Sequence, residues 1–423
     1  MFVLFISFVV LLLLGLPLFF VLGLSSVIFL LYDGTSLVVV GQKIITGIDS
    51  FSLLAVPFFI LAGDLMFEGK LSEKLVAAAN SVVGHIRGGL SAVTVVSAMF
   101  FAAISGSAPA TTAAIGSIMI PEMEKKGYSK KFAASLASAA GPIGQIIPPS
   151  IPMIIYAVLA NISITKLFIA GVIPGILMGL ALIAVCMIYV RVYNIEMQSP
   201  RATFKKVMQS FYRAKWALLA PVIILGGIYG GIFTPTEASV IAVVYGLVIS
   251  LFVYRSIKIK ELPKIFIKSV HTSTMVVSII SVATLFGWIM AKSGVAQDLA
   301  RQILSISDNP IVILLLLNIL LLIVGALMDN IAAIVILLPV LLPISEQLGL
   351  DPIHFGAIVV INFAIGMATP PIGYSLFVGA SISGLKIEQL TKSLLPLLAA
   401  MIFVLMLITY IPAVTTWLPS LLD

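Results

Sequence analysis

The sequence predicts an all-α polytopic membrane protein with two inverted-topology repeats, each pairing a re-entrant helical hairpin with a proline-broken transmembrane helix. Three observations carry this. The chain is 61% hydrophobic and 10% charged, against roughly a quarter charged residues in a soluble domain. Breaker-rich runs interrupt apolar chain at GPIGQIIPPS (141–150) and GMATPPIGYS (366–375). Each run follows two short apolar arms joined by a small polar tip.

At ~20 residues per span, the chain accommodates about ten to twelve spans. No polar stretch is long enough to form a soluble domain. The net charge of +7 comes from Lys and Arg in short loops between apolar runs, so it reports topology and not nucleic-acid binding. Cys186 is the single cysteine and lies in an apolar run, which excludes an internal disulfide and a cysteine-based metal cluster. His85, His271 and His354 lack ligand spacing, so no transition-metal site is expected. The N-terminus is apolar from its start and the first lysine is Lys43, which reads as a retained span and not a cleaved signal.

Residues 2–31 are apolar but broken by Pro17, long for one span and short for two, and both readings stay open. After polar 32–50 comes a span at 51–67, then 69–88, where Lys70, Glu73, Lys74, His85 and Arg87 among apolar positions predict an amphipathic interfacial helix. Arms 90–104 and 108–121 flank SGSAP. At 1.5 Å per residue each is ~22 Å, short of the ~30 Å hydrocarbon core, so they form a re-entrant hairpin. PEMEKKGYSKK (121–131) then returns to a basic loop.

The 132–160 run holds Pro148, Pro149 and Pro152. Each removes a backbone donor, and Pro149 pushes Pro148 out of the helical region. No charge lies between Lys131 and Lys166, so the break sits at membrane depth. Unwound backbone is tolerated there only against protein or a water-filled cavity. A span at 168–190 follows, then the basic segment 191–215, spans 216–233 and 235–254, basic 255–268 and a span at 269–291. Beyond polar 292–309, arms 310–327 and 329–343 meet at GALMDN. The broken run 353–385 and a last span at 394–417 complete the chain.

Placing 68–88, 122–131, 191–215, 255–268 and 386–392 in the cytoplasm puts 20 of the 24 Lys and Arg on that side. The first hairpin then opens from the cytoplasm and the second from outside. The hairpin prolines Pro121 and Pro339 are 218 apart and the proline pairs 222 apart, so the units are nearly equal in size. Inverted repeats of this kind place substrate and coupling ions near the midplane.

The residue types suit sodium, which prefers oxygen ligands. The first set is Ser105, Ser107, Thr111 and Thr112 with the carbonyls of Gly141 to Gln145, Ile143 and Gly144 included. The second is Asp329 and Asn330 with the carbonyls from Gly366 to Thr369, including Ala368. The half-helices starting at Pro148, Pro149 and Ser150, and at Pro370, Pro371 and Tyr374, aim N-termini at one space, which suits a carboxylate. Plainer readings stand beside these. Small hydroxyl residues also let helices pack closely, and Asp329 also fits as a helix cap. Lys292 reads as a lipid-interface anchor or as a carboxylate ligand. Asp64 fits a snorkelled or hydrogen-bonded group, and Glu237 a helix start capped by Thr234 or Thr236. Segment 191–215 is a connector, or with Tyr212 and Trp216 a dock for a partner subunit.

FTPTEA (233–238), GPIGQIIPPS (141–150), DN-x-AA-x-x-x-LLP (329–339) and MATPPIG (367–373) together resemble the large membrane subunit of tripartite ATP-independent periplasmic (TRAP) transporters, the DctM or SiaM type. The resemblance runs through essentially the whole chain in motif order. It implies a sodium-driven importer of an organic acid such as a dicarboxylate or sialic acid, in a bacterial or archaeal cytoplasmic membrane. The implied partners are a small membrane subunit on a separate chain, a periplasmic substrate-binding protein and the lipid bilayer.

The implied fold is an elevator. Its transport domain comprises 89–160 and 269–393, its scaffold 1–88 and 161–268, with a C-terminal span in 394–423. The first sodium site falls on the tip Ser105, Gly106, Ser107, Thr111 and Thr112 with 141–145. The second falls on Gly325, Met328, Asp329 and Asn330 with 366–369. Lys292 takes a position where family members often carry arginine; lysine keeps the charge without the bidentate fork.

Two other functions compete. One is a self-sufficient sodium-coupled dicarboxylate or citrate carrier. The other is an intramembrane aspartyl protease using Asp64 and Asp329, which would have to share a proton; the topology puts them at different depths. A channel would need a continuous polar pathway, whereas the polar residues fall in isolated clusters.

Overall fold

The computed structural model describes residues 1–195 and 203–422; residues 196–202 of the basic connector, and Asp423, lie outside the described residues. The described residues are helical, without a strand. Among them eight helical runs are long and apolar enough to cross a membrane, or nine with the bent pair 130–146 and 151–159. The expected ten to twelve spans are approached only by counting half-length helices, because several apolar runs are cut by breakers.

The N-terminal ambiguity resolves into two short helices, α1 (Phe2–Leu13) and α2 (Leu18–Asp33), packed against each other. Pro17, with φ −56° and ψ 142°, caps α2 and cannot continue α1. The polar 32–50 stretch contains a helix, α3 (Val38–Ile48). A 3-10 turn at Phe51–Leu54 leads into α4 (Ala55–Glu68), and α5 (Leu71–Val83) buries Leu71, Leu75, Ala78 and Ala79 along one face, the amphipathic helix expected.

The first hairpin is α6 (Gly89–Ser105) and α7 (Ala108–Lys125), and the first broken helix is α8 (Lys130–Ala140), α9 (Ile143–Ile146) and α10 (Ile151–Leu159), bent by 41°. Helices α11 (Ile164–Ala170) and α12 (Val172–Val192) follow. α13 (Phe204–Tyr229) begins twelve residues before the expected span, and α14 (Pro235–Val248) runs on through a π turn at Ile249–Val253. Glu237 is a helix-start residue: Thr234 Oγ1 accepts from its amide at 3.2 Å and its carboxylate accepts from the Thr234 amide at 2.8 Å. α15 (Leu262–Lys292) is the longest helix described and α16 (Val295–Leu304) lies in the polar 292–309 stretch.

The second hairpin is α17 (Pro310–Leu327) and α18 (Asn330–Gln347), the second broken helix α19 (Pro352–Gly366) and α20 (Tyr374–Ser383). α21 (Ile387–Tyr410) and α22 (Ala413–Thr416) complete the chain with a 3-10 turn at Pro419–Leu422. Three of the four hairpin arms exceed the expected lengths. With 17 or 18 residues each they reach ~26 Å, so length alone barely separates them from spans. What marks them as hairpins is that each tip is hydrogen-bonded to the break of the helix that follows, Gly106 O to the Ile151 amide and Ala326 O to the Gly373 amide.

The two broken helices interlock. α10, the second half of the first, packs on α18 and α19, while α20, the second half of the second, packs on α7 and α8. Gly356 faces the Tyr156 ring and Gly379 faces Ser138 Oγ, both so closely that a side chain at the glycine would displace that group. Elsewhere α4 packs on α14, α5 on α13, and α15 on α2, α3 and α4. Asp64 ties α4 to α15, accepting from Ser269 Oγ at 2.7 Å and pairing with Lys268 at 2.8 Å. α21 and α22 are bound to the hairpin and broken-helix elements: Ser135 Oγ donates to Leu390 O at 3.0 Å, Asn318 Nδ2 to Thr409 Oγ1 at 3.0 Å, and His354 Nδ1 meets Thr415 Oγ1 at 2.7 Å.

Candidate functional site

At the first tip α6 ends in Ser105, Gly106 turns the chain with φ +63°, where glycine is favoured, and Ser107 caps α7 by accepting from the Ala110 amide at 3.4 Å. Ser105 Oγ and Thr111 Oγ1 are 2.9 Å apart and buried. A Cβ on Gly144 would overlap Thr111 Oγ1, and one on Gly141 would overlap Thr112 Oγ1. The two glycines therefore admit the tip hydroxyls to the backbone of the broken helix.

The unwinding itself lies later than the 141–145 stretch. Gly141 keeps helical angles (φ −53°, ψ −48°), and the carbonyls of Gly141, Pro142 and Ile143 accept amides of Gly144, Gln145 and Ile147 at 2.8, 2.9 and 2.9 Å. A lone proline passes within the helix; the doubled Pro148–Pro149 does not, and the chain is already extended at Ile147, with ψ 129°. Both proline pairs, Pro148–Pro149 and Pro370–Pro371, are joined by cis peptides. Each of these carbonyls has a second lone pair for another partner. Ser150 ties the two sides of the break, donating to Gln145 O at 2.6 Å and accepting from the Met153 amide at 3.4 Å.

At the second tip Met328 is extended (φ −139°, ψ 166°) and Asp329 caps α18, its Oδ2 accepting from the Ile331 amide at 3.0 Å. Here backbone meets backbone: a Cβ on Gly366 would lie 2.5 Å from the Gly325 carbonyl carbon. Across the break the Thr369 amide donates to Gly366 O at 2.8 Å and the Ser375 amide to Met367 O at 2.9 Å. The two tips engage their breaks in the same way. Gly106 O accepts from the Ile151 amide at 3.4 Å, and Ala326 O from the Gly373 amide at 3.3 Å. In both cases a tip carbonyl meets the amide that opens the second half-helix.

Both halves converge where Asn330 Nδ2, on the second hairpin, donates to Gln145 Oε1, on the first broken helix. Asn330 is 0% and Gln145 5% exposed, and Asn330 Oδ1 has no hydrogen-bond partner among the described residues. A buried acceptor without a donor costs desolvation free energy and is the kind of oxygen a hard cation takes. The half-helix starts differ: Pro148, Pro149 and Ser150 are buried, whereas Pro371 and Tyr374 are exposed. Lys292 is held elsewhere, 3.6 Å from Asp33 Oδ2, donating to Thr35 Oγ1 at 3.2 Å, and over the Trp288 ring. None of these partners belongs to either tip.

Sequence reasoning used Gln145 for its carbonyl and missed its side chain. It also missed the chain of buried amides in which Asn362 Nδ2 donates to Asn318 Oδ1 at 2.6 Å and Asn318 to Thr409. Lone asparagines inside apolar helices, which seek interhelical partners, are the signal that would have found them.

The model for the family "Tripartite ATP-independent periplasmic transporter, DctM component" matches residues 5–414. The chain is 46% identical over 413 residues to the isethionate TRAP transporter permease protein DctMQ of Oleidesulfovibrio alaskensis, covering 97% of this chain and 65% of that protein. It is 43% identical to the C4-dicarboxylate TRAP transporter large permease protein DctM of Pseudomonas aeruginosa, covering 94% of this chain and 93% of that protein. It is 39% identical to the sialic acid TRAP transporter large permease protein SiaM of Vibrio cholerae, over 96% of this chain and 95% of that one. Among solved structures, the Alcanivorax borkumensis YdaH transporter shares the fold with a TM-score of 0.65 at 15% identity, over 88% of each chain. With a family model spanning nearly the whole chain and relatives at this identity, the chain belongs to the DctM family, the large permease component of TRAP transporters.

Proposed function

We propose that the chain is the large transmembrane subunit of a sodium-coupled TRAP importer of an organic acid, working in a cytoplasmic membrane by an elevator movement. The observation that carries the reading is the convergence of two tip-on-break units on the Asn330–Gln145 pair, with Asn330 Oδ1 buried and unpartnered. One sodium ion would be held by the Ser105–Thr112 tip with carbonyls of 141–145, and a second by the 325–330 tip with those of 366–369. Sodium supplies positive charge beside the half-helix N-termini at Ser150 and Tyr374, so that ion and carboxylate favour each other's binding.

The moving body comprises both hairpins and both broken helices. The hydrogen bonds of α21 and α22 to α8, α17 and α19 favour including them, and packing on α6 and α21 favours including α12. α15, tied to α4 through Asp64 and packed on α2 and α3, belongs with the static body. This extends the sequence-based partition at 161–192 and 394–422 and removes 269–292 from the transport domain. Isethionate, C4-dicarboxylates and sialic acid in the relatives' names support a small organic anion as the class of cargo. The family description, tripartite and periplasmic, supports a small membrane subunit and a periplasmic binding protein as partners.

Reconstitution into proteoliposomes tests the reading. Uptake of the cognate acid is expected only with an inward sodium gradient and with both partners present. Uptake by the purified chain alone would favour a self-sufficient carrier, and uptake indifferent to sodium would remove the coupling.

A further inference from the structure

The two cation sites proposed above lie on different repeats, yet one side chain of each touches the other. Gln145 belongs to the broken helix of the first repeat and Asn330 to the hairpin of the second, 185 positions away in sequence, and their amides are hydrogen-bonded in a buried setting. Two primary amides can join in either of two senses, since each has an acceptor oxygen and a donor NH2. In the sense observed Asn330 donates, and its own oxygen, at 0% residue exposure, is left without a partner. In the opposite sense Gln145 would donate to that oxygen, occupying one of its two lone pairs and turning the Asn330 NH2 outward. The Gln145 side chain thus decides whether Asn330 presents a wholly free oxygen or its NH2 to its surroundings.

Gln145 is itself braced by the first site. Its carbonyl accepts from Ser150 Oγ at 2.6 Å, and its amide donates to Pro142 O at 2.9 Å, one residue after Gly141, whose Cα packs under Thr112. A cation drawing on the 141–145 carbonyls bears on the segment that carries Gln145. We infer that Gln145 is a positioning residue that couples the two cation sites: with the first occupied, its Oε1 holds Asn330 Nδ2, so that Asn330 Oδ1 completes the second. The inference rests on the sodium reading. By linkage the coupling is reciprocal, so each ion raises the affinity for the other by the same factor, typically about 5- to 100-fold between coupled sites. Such coupling makes the sodium dependence steep and suppresses singly loaded protein.

The test is sodium titration of the full-length chain in detergent, read as melting temperature against sodium chloride, with choline chloride holding ionic strength constant. The wild type is expected to be stabilised with a Hill coefficient above 1. Gln145→Ala should lower that coefficient toward 1 and raise half-saturating sodium by about fivefold or more, with stabilisation at saturating sodium retained because both sets of ligands remain. Gln145→Asn and Asn330→Gln should each resemble it, whereas the swapped double variant, which restores an amide pair of the same combined length, should recover steepness. A merely structural role would lower the melting temperature at every sodium concentration without flattening the titration. An unchanged titration in Gln145→Ala, or a swap no steeper than its singles, overturns the coupling and leaves the sodium reading standing. Absence of any sodium-specific stabilisation in the wild type overturns the sodium reading itself. If Gln145→Ala does not fold, the comparison of the swap with Gln145→Asn decides alone.

Discussion

Asp329 serves two purposes with one carboxylate, and asparagine separates them. Its Oδ2 caps α18 through the Ile331 amide at 3.0 Å, and its charge is what a sodium ion would use. Asp329→Asn keeps an acceptor for the cap and discards the charge, so the melting temperature should stay near that of the wild type while sodium-dependent uptake is lost. Asp329→Ala discards both and should also lose ~1 kcal/mol of stability, the usual worth of a cap. Thermal melts beside uptake assays check this; normal sodium dependence in Asp329→Asn would leave the acid as a cap only. Asp329 was readable from sequence because an acid in an apolar run is conspicuous. The Gln145 side chain was not, because its partner is 185 positions away and no local pattern marks the pair.

At the scale of elements, the tips seat on the breaks because glycine occupies each crossing. Gly366 is the strictest case, since an added Cβ would meet the Gly325 backbone at 2.5 Å and backbone cannot rotate aside. Gly366→Ala should therefore lift the second tip off its break, costing ~1–3 kcal/mol as overpacking does and raising half-saturating sodium in uptake. Gly226 on α13 is the control: it is exposed, with nothing within 4 Å of an added Cβ. Gly226→Ala should raise the stability of the isolated chain by ~0.5–1 kcal/mol, the helix-interior preference for alanine. Hairpins and breaks were legible in the sequence because doubled prolines and small-residue tips act locally. The position of the first unwinding was not, since Gly141 and Pro142 read as breakers but remain helical in context. Helix α3 was hidden for a similar reason: its polar residues mask a face that packs on α15.

At the scale of the molecule, the elevator reading asks which helices move together, and hydrogen bonds that pin α21 and α22 to α8, α17 and α19 were beyond a reading that follows the chain in order. The proposed bodies slide past each other along α15 and α18. There a cavity of about 180 Å³ is bounded by Leu159, Gly287, Leu338 and Pro339, and a Cβ on Gly287 would lie 3.3 Å from Pro339 Cγ. Gly287→Cys with Pro339→Cys places two thiols across that plane, with room for both. Gly379→Cys with Ser138→Cys places two within the moving body, where the added Cβ would lie 3.4 Å from Ser138 Cβ, near the span of a disulfide. Cys186, buried in α12, is replaced by alanine so that no third thiol competes. Oxidation of the α15–α18 pair should stop uptake and reduction restore it, because one bond ties the bodies together. Oxidation of the α8–α20 pair should leave uptake near its reduced level, because those helices travel as one. Transport that survives a complete α15–α18 cross-link would mean that α15 and α18 move together, and the boundary between the bodies would have to be drawn elsewhere.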